Sequence, residues 1–307
     1  MRTIIKSIQK ITLLCICIAV FSAARAQTDI DAIMMNKHQF CNGLMYNHSA
    51  WDYYWEGTFK RNNENLGTVS AESVMYGANY GITDKLNVMA SAPYVWAKSN
   101  AGTLHGSRGI QDLSIFVKWK PYTITFQKNK LSLYLIGGFS TPLTNYQIDY
   151  LPLTIGLGTT NLTSRAMVDF SHRRFTVTAS GTFLWRSNVK IDRTSYYDTQ
   201  IHLTNEVKMP NASQFQLRTG YRGRYLLAEA LLTNWTTLGG FDITRNNMPF
   251  PSNRMNMTTI GASLKYTLKS YTHLSLLAGA NYTIAGRNVG QATAFNAGAF
   301  YAFYFRK

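Results

Sequence analysis

The chain has 307 residues, of which 15% are charged and 13% aromatic, and its formal net charge is +16. Water-soluble domains carry about 25% charged residues, so this composition does not favour an ordinary soluble domain. The excess of lysine and arginine suits contact with nucleic acid, anionic lipid or anionic solutes. The sequence contains no nucleotide-binding glycine loop, zinc-ligand spacing or calcium loop, so we predict no cofactor and no metal site.

The first residues have the three parts of a secretory signal peptide. A basic region, an apolar stretch and a small-residue cleavage site follow one another at Arg2, Lys6 and Lys10, at 11–21, and at Ala24-Arg25-Ala26. We predict a cleaved signal at residues 1–26 and one β-barrel domain at 27–307. Cleavage removes four basic residues and no acidic one, which lowers the formal net charge from +16 to +12.

Export decides two further points. An exported chain does not meet nucleic acid, which we therefore exclude as a partner. Cys15 and Cys17 leave with the signal, so Cys41 has no partner for an intramolecular disulfide and is interpreted as a packed side chain.

The remaining chain lacks the run of about 18 apolar residues that a membrane-spanning helix needs, so it can cross a membrane only as a β-barrel.

Stretches of alternating polarity recur from about residue 37 to the C-terminus. In residues 174–184, aromatic, aliphatic and small side chains alternate with threonine and serine. This period of two is typical of a membrane barrel with an apolar outer face and a polar inner face. Three other clear cases are residues 110–120, 131–140 and 274–284.

Short and long connections alternate along the chain, as in outer-membrane barrels with short periplasmic turns and long extracellular loops. Tight turns are predicted near 81–85, 171–174, 221–224 and 269–271, with a longer connection near 123–130. Long loops are predicted near 57–67, 97–109, 144–154, 186–211, 238–254 and 286–291. We predict an all-β fold, a transmembrane antiparallel up-and-down β-barrel of about twelve strands, with ten or fourteen strands and a secreted β-sandwich or soluble barrel as alternatives. The first strand is placed at about 37–56 and the eighth at about 212–222.

The last strand carries an aromatic, uncharged face that a soluble protein would rarely leave exposed. The spacing Gly298-x-x-Tyr301-x-Phe303-x-Phe305 resembles the C-terminal assembly signal of bacterial outer-membrane barrels, which usually ends at the aromatic residue. Arg306 and Lys307 are a small departure from that pattern. The resemblance implies recognition by the barrel-assembly machinery.

Residues from about 70 to 145 resemble the phenol-degradation meta-pathway family of outer-membrane proteins. The segments that carry the resemblance are Tyr76–Leu86, Ser91–Tyr94, Gly109–Ser114, Lys118–Pro121 and Gly137–Pro142. Gln111 stands where that family commonly has a glycine. Membership implies an outer-membrane barrel that acts as a channel for small compounds, with hydrophobic or aromatic solutes as candidates.

Alternation also predicts which side chains line the barrel interior. Six of them are basic and three acidic: Lys118, Lys120, Arg165, Arg218, Arg222 and Lys265, against Asp112, Asp169 and Glu229. Charged rings in a narrow pore select ions, and this excess favours anions. Tyr134 and Tyr304 are predicted on the same face, where aromatic solutes could stack. Asp112 is expected to pair with a basic residue of the interior.

An outer-membrane lipid hydrolase remains a remote alternative, because such enzymes are also barrels of about twelve strands. His105 and Ser107 form the only His-x-Ser sequence, but both lie in a predicted loop rather than on one strand face at the lipid boundary. We interpret them as polar loop residues and predict that the protein is not an enzyme.

The sequence thus predicts a monomeric barrel in the bacterial outer membrane, with both termini periplasmic. Its expected role is the passive passage of small molecules, with hydrophobic, aromatic or anionic solutes as candidates. Its expected surroundings are outer-membrane lipid, lipopolysaccharide, the barrel-assembly machinery and the solute. A non-conducting barrel that acts as a scaffold or partner in a cell-surface complex is the main alternative.

Overall fold

A computed structural model describes residues 27–244 and 247–305. The predicted signal peptide at 1–26 lies outside the described residues, as do Arg306 and Lys307. Twelve long strands form one antiparallel sheet in which each strand pairs with the next and the last pairs with the first. The strands are β1 Gln39–Trp51, β2 Val69–Thr83, β3 Leu86–Ser99, β4 Asp112–Phe126, β5 Asn129–Pro142, β6 Asn161–His172, β7 Phe175–Arg186, β8 Ala212–Arg222, β9 Leu226–Thr237, β10 Asn256–Thr267, β11 Leu274–Arg287 and β12 Thr293–Tyr304. The predicted all-β, twelve-stranded barrel is therefore confirmed.

The barrel closes between its first and last strands. The register of β1 on β12 runs from Gln39 opposite Tyr304 to Ala50 opposite Thr293. At one end, which we call the short-turn end, the strands are joined by short connections and the chain enters β1 and leaves β12. At the other, the long-loop end, five long connections and the five-residue connection 288–292 are gathered. The alternation of short and long connections agrees with the prediction from the sequence, except that the predicted long loop near 286–291 is short.

Two predicted boundaries were wrong. The first strand ends at Trp51, because residues 53–56 and 59–62 form a separate hairpin in the following loop. The longer connection predicted near residues 123–130 is a two-residue turn. A register shift between Trp119 and Tyr122 accommodates Pro121, which has no amide hydrogen for the sheet. The β-branched and aromatic residues that follow then continue the strand.

The two faces of the sheet differ as the alternation predicts. In β7, Thr176, Thr178 and Ser180 are buried on the inner face, whereas Phe175 and Trp185 are exposed on the outer face. Exposed aliphatic and aromatic side chains with buried hydroxyls reverse the arrangement of a soluble barrel. This is the arrangement that a lipid environment requires. No helix among the described residues is long and apolar enough to cross a membrane.

The long loops pack against one another rather than extending separately into solvent. One buried cluster joins the first three loops and contains Leu66, Val69 and Leu153, with Leu104 and Tyr150 packed against it. A second joins the third, fourth and fifth loops and contains Val189, Ile191, Val207, Met209 and Phe250, with Ile148 and Leu157 at its edge. The long-loop end is therefore a packed cap of irregular chain and short two-stranded hairpins.

An ion pair ties the end of β11 to the fifth loop. Arg287 donates hydrogen bonds from Nε and Nη2 to the two carboxylate oxygens of Asp242, at 2.7 and 2.6 Å. These bonds, together with one from Asn288, lower the pKa of Asp242 to about 2. The carboxylate therefore stays charged, and the pair stays intact, at any pH well above 2.

Candidate pore interior

Residues 27–37, which we call the N-terminal segment, lie inside the barrel rather than beside it. Met35 is fully buried and Gln27 is only 2% exposed. Met35 packs against Cys41, Phe300 and Ala302 on the inner face of the first and last strands. On the opposite side, Ala32 and Met34 pack against Tyr134, Ile136 and Met167. The sequence analysis did not predict this position.

Lys118 holds the N-terminal segment most directly. Its side chain is fully buried, and its Nζ lies 2.5 Å from the carbonyl oxygen of Thr28 and 2.8 Å from that of Asp31. It also lies 3.3 Å from the carboxylate of Asp31 and 3.4 Å from the carbonyl oxygen of Ile33. A buried ammonium needs such a cage, because burying an unpaired charge is very costly.

Asp31 shapes the segment that Lys118 grips. Its Oδ2 accepts hydrogen bonds from the backbone amide and the hydroxyl of Thr28, and its Oδ1 accepts one from the amide of Ile33. Side chains of aspartate commonly stabilise turns in this way. The local turn brings three backbone carbonyls to one point, where the lysine binds them.

Further polar contacts fix the segment to other strands. Arg165 donates from Nη1 to the carbonyl oxygen and the carboxylate of Asp29, both at 2.9 Å. Tyr134 donates to the carbonyl oxygen of Ala32 at 3.0 Å. Asn79 and Asn87 donate to the carbonyl oxygens of Gln27 and Met35. The segment is thus held by side chains, and none of the described strand pairings includes it.

A second charged network lies on the inner face of β6 to β9. Arg218 donates to Glu229 Oε2 from Nε and Nη2, at 2.9 and 2.6 Å, and both residues are almost fully buried. Arg222 bridges Glu229 and Asp169, and Thr178 donates to the other oxygen of Asp169. The structure thus brings together four of the charged residues that alternation placed on the inner face.

The remaining predicted residues are more scattered. Asp112 does not bind the expected basic partner; it accepts a hydrogen bond from Tyr146 of the third loop at 2.7 Å. Burial and this bond raise the pKa of the Tyr146 phenol. Tyr304 accepts a hydrogen bond from Asn36 at 2.7 Å, beside the N-terminal segment. Lys120 and Lys265 border a cavity at the short-turn end, and Lys265 is close enough to Asp31 to interact electrostatically.

The charge balance of the interior differs from the sequence prediction because the N-terminal segment brings Asp29 and Asp31 inside. The predicted three acidic residues become five, against the six basic residues predicted there and Lys130, which the sequence analysis did not assign to the interior. Both missed aspartates neutralise members of the predicted basic set. The only sign in the sequence is a pair of acids followed by Ile33, Met34 and Met35, directly after the signal.

Two cavities adjoin the N-terminal segment. One, of about 320 Å³, opens at the short-turn end, where Ala32, Ile33 and Met34 form part of its lining. The other, of about 80 Å³, lies between Gln27–Asp29 and the inner faces of neighbouring strands. The interior is therefore packed less completely than a protein core, where voids larger than a water molecule are few.

Two residues considered for chemistry have ordinary surroundings. Cys41 is a buried free cysteine in contact with Met35 and Phe300. His105 is exposed in the second long loop, where the neighbouring Ser107 contributes its backbone carbonyl to Ala97. Residues 27–244 and 247–305 contain no group of three or more potential metal ligands.

We expect Glu229→Gln to destabilise the folded barrel. Loss of one partner from a buried ion pair leaves an uncompensated charge and costs about 3–5 kcal/mol. The midpoint of urea unfolding, followed by the electrophoretic shift between folded and unfolded forms, should fall. Replacing Arg218 and Glu229 together by methionine should recover much of that loss. An unchanged midpoint for Glu229→Gln would contradict the role given to the pair.

Comparisons with known proteins identify the fold of this chain but do not assign it to a family. No family model matches the sequence, and no curated protein matches it either. The chain is similar in structure to the COG4313 outer membrane channel from Pseudomonas putida F1, with a TM-score of 0.70, 15% identity, and coverage of 90% of this chain and 100% of that one. The NanC porin gives a TM-score of 0.46 at 7% identity, covering 84% and 98% of the two chains. The CymD monoaromatic hydrocarbon channel gives 0.39 at 11% identity, covering 89% and 90%.

The first of these similarities establishes the fold of an outer-membrane β-barrel for this chain. The other two have TM-scores below 0.5 and add nothing to that assignment. The first neighbour is described as an outer membrane channel. Because no family model matches, the resemblance of residues 70–145 to the phenol-degradation family stays a prediction.

Proposed function

We propose that this barrel is a passive outer-membrane channel for small molecules, and that the N-terminal segment is a plug within its pore. The observation that carries the proposal is the kind of contact that fills the interior. A charged and hydroxylated wall surrounds a chain segment that it binds through side chains, with no strand pairing to the wall. The polar contacts can be exchanged for water, and the apolar contacts are confined to two small clusters, around Met35 and around Ala32 and Met34. Displacement of the segment therefore exposes less apolar surface than the opening of a full apolar core would.

The proposed orientation places the short-turn end in the periplasm and the long-loop end at the cell surface. Outer-membrane barrels have short periplasmic turns and longer extracellular loops, which supports this orientation. Both chain termini would then be periplasmic. Outer-membrane lipid, lipopolysaccharide and the barrel-assembly machinery would be its partners in the membrane, where we expect a monomer.

The solute class follows from the charges on the inner face. With Asp29 and Asp31 of the N-terminal segment included, the residues that alternation placed inside number six basic and five acidic, and Lys130 adds a further basic side chain at the short-turn end. If the segment leaves, Asp29 and Asp31 leave with it, and the excess becomes six to three. Lys118 and Arg165 would then become pore-lining cations. We therefore propose that the channel prefers anions, weakly in its plugged form and more strongly when the segment is displaced.

The N-terminal segment also affects the passage of aromatic solutes, because it contacts the tyrosines on which they could stack. Tyr134 is only 4% exposed because Ala32 covers it, and Tyr304 contacts Asn36. The ring of Tyr134 therefore offers no free stacking surface in this arrangement, and stacking on it requires displacement of the segment. Tyr304 is only partly buried.

The proposal predicts anion-selective conductance for the purified protein. In a planar bilayer with a salt gradient, the reversal potential should have the sign of a channel that prefers anions. The preference should weaken at high salt, since exposed charges separated by more than about 10 Å are screened at 0.1 M. A cation-selective channel would mean that the five acidic residues, rather than the six basic ones, control the pore.

A non-conducting scaffold is the second candidate, and the packing of both ends favours it. The N-terminal segment occupies the interior, and apolar clusters join the long loops. Absence of channel events, both in the wild type and after release of the segment, would favour the scaffold. The lipid-hydrolase alternative has no comparable support, since His105 is exposed in a loop. We propose that the protein is not an enzyme.

A further inference from the structure

The cavity of about 320 Å³ at the short-turn end combines a basic rim with an apolar floor. Asp169 is the one carboxylate in its lining. Six basic side chains also line it: Lys120, Lys130, Arg173, Arg222, Arg224 and Lys265. Asp169 is already engaged by Arg222, whose Nη1 lies 3.1 Å from its Oδ2. With six basic residues against one acidic residue, the lining carries a net positive charge.

The basic residues approach from several strands and turns. Lys265 is 9% exposed and extends from β10 into the barrel. Arg173 occupies the turn after β6, where its backbone has a positive φ of 53° and its amide donates to the carbonyl of Lys128. Arg224 lies in the turn after β8, with its guanidinium 5.2 Å from the ring centre of Tyr225. An anion that entered the cavity would have positive charge on more than one side.

The floor of the cavity is apolar. Ile33 and Met34 of the N-terminal segment meet Tyr134 and Leu227 of the wall, and each is less than a tenth exposed. The hydrogen bond from Tyr134 to the carbonyl oxygen of Ala32 fixes the floor in place. Ligand sites in proteins are typically apolar surfaces with a few well-placed polar groups, and they start at about 300 Å³. This cavity meets the size condition, and it joins an apolar floor to a rim that is more polar and more basic than that of a typical site.

We propose that the cavity is a binding site for a small organic anion, such as an aromatic carboxylate. The carboxylate would be held by the basic rim, and the apolar body would lie against Met34 and Leu227. An inorganic anion would gain nothing from the floor, and a lipid headgroup would meet the outer rather than the inner face of the barrel. The inference rests on the proposed channel function only in one respect: it makes this cavity a binding site for the solute at the periplasmic mouth of the pore.

The site can be tested by fluorine NMR titration of a fluorobenzoate into the folded, full-length mature protein in nanodiscs of zwitterionic lipid. We expect saturable binding that weakens as salt is added, because salt screens the basic rim. The neutral fluorobenzamide should bind about tenfold more weakly, since it lacks the charge-assisted contacts. Competition by acetate should also be about tenfold weaker than by benzoate, since acetate lacks the apolar body.

A matched pair of variants separates the site from general charge effects. Lys130→Gln with Arg173→Gln removes two charges from the rim and should weaken fluorobenzoate binding about tenfold. Arg108→Gln with Lys190→Gln removes an equal number of positive charges from exposed positions at the long-loop end. This control should leave fluorobenzoate binding unchanged. Each variant is first shown to be folded by its heat-modifiable migration.

Several results would overturn the proposal: no saturable binding by the wild type, equal binding by the rim variant, or equal competition by phosphate and benzoate. Displacement of fluorobenzoate when phosphatidylglycerol replaces the zwitterionic lipid would assign the rim to a lipid headgroup instead. The result is also independent of conduction. Binding without channel activity would retain the site and reject the channel, whereas conduction without binding would reject only the site.

Discussion

Lys118→Met should increase the conductance of the barrel about twofold or more, because it releases the N-terminal segment from the pore. The substitution keeps the buried aliphatic chain but removes the ammonium that contacts Thr28, Asp31 and Ile33. Breaking a buried pair costs about 3–5 kcal/mol, because the partner carboxylate is left unpaired. That change shifts the ratio of docked to released segment by about a hundredfold or more.

We expect a second effect of Lys118→Met, on ion selectivity, that a general loss of stability would not produce. Released Asp29 and Asp31 no longer offset the basic residues, so the variant should be more anion-selective than the wild type. Lys98→Met is the control, because Lys98 is a lysine with a 63% exposed side chain that pairs with Glu72 far from the segment. Single-channel recording at the same salt measures both quantities. Equal conductance and selectivity in all three proteins would reject the plug.

Phe303→Asp should prevent the barrel from assembling in the outer membrane. Phe303 packs against Phe40, Tyr301 and Phe305, with ring centres 5.5, 5.9 and 5.4 Å apart. The contact with Phe40 spans the pairing of the first and last strands, where the barrel closes. Each aromatic pair contributes about 0.5–1.5 kcal/mol beyond burial, and the substitution removes three pairs while adding a charge to the lipid face.

Heat-modifiable migration of protein from an outer-membrane fraction measures this assembly. Phe303→Leu keeps an apolar side chain and should still assemble, in lower yield. Leu203→Asp adds the same carboxylate at a loop position that is 84% exposed, and it should behave as the wild type. Normal migration of Phe303→Asp would show that this aromatic spacing, proposed as an assembly signal, does not act as one.

The fold could be predicted from the sequence because the patterns that indicate it extend over only a few residues. In residues 174–184, each outward or inward position follows from the parity of the residue number, since successive side chains of a strand point to opposite faces. The same rule placed Arg218, Arg222, Asp169 and Glu229 on one face before their contacts were known. The connection near residues 123–130 was predicted too long, because the strand continues past a register shift between Trp119 and Tyr122 as far as Phe126.

The sequence by itself determined the barrel class, the approximate strand number, the alternation of turns and loops and the two faces of its most regular strands, because each depends on neighbours a few positions apart. Only the tertiary structure decided what occupies the interior. Lys118 meets Asp31 across 87 positions, and Arg165 meets Asp29 across 136. The N-terminal segment has no period that reveals a buried face. Its place is set by the charges of distant strands, which must be neutralised once the barrel encloses them.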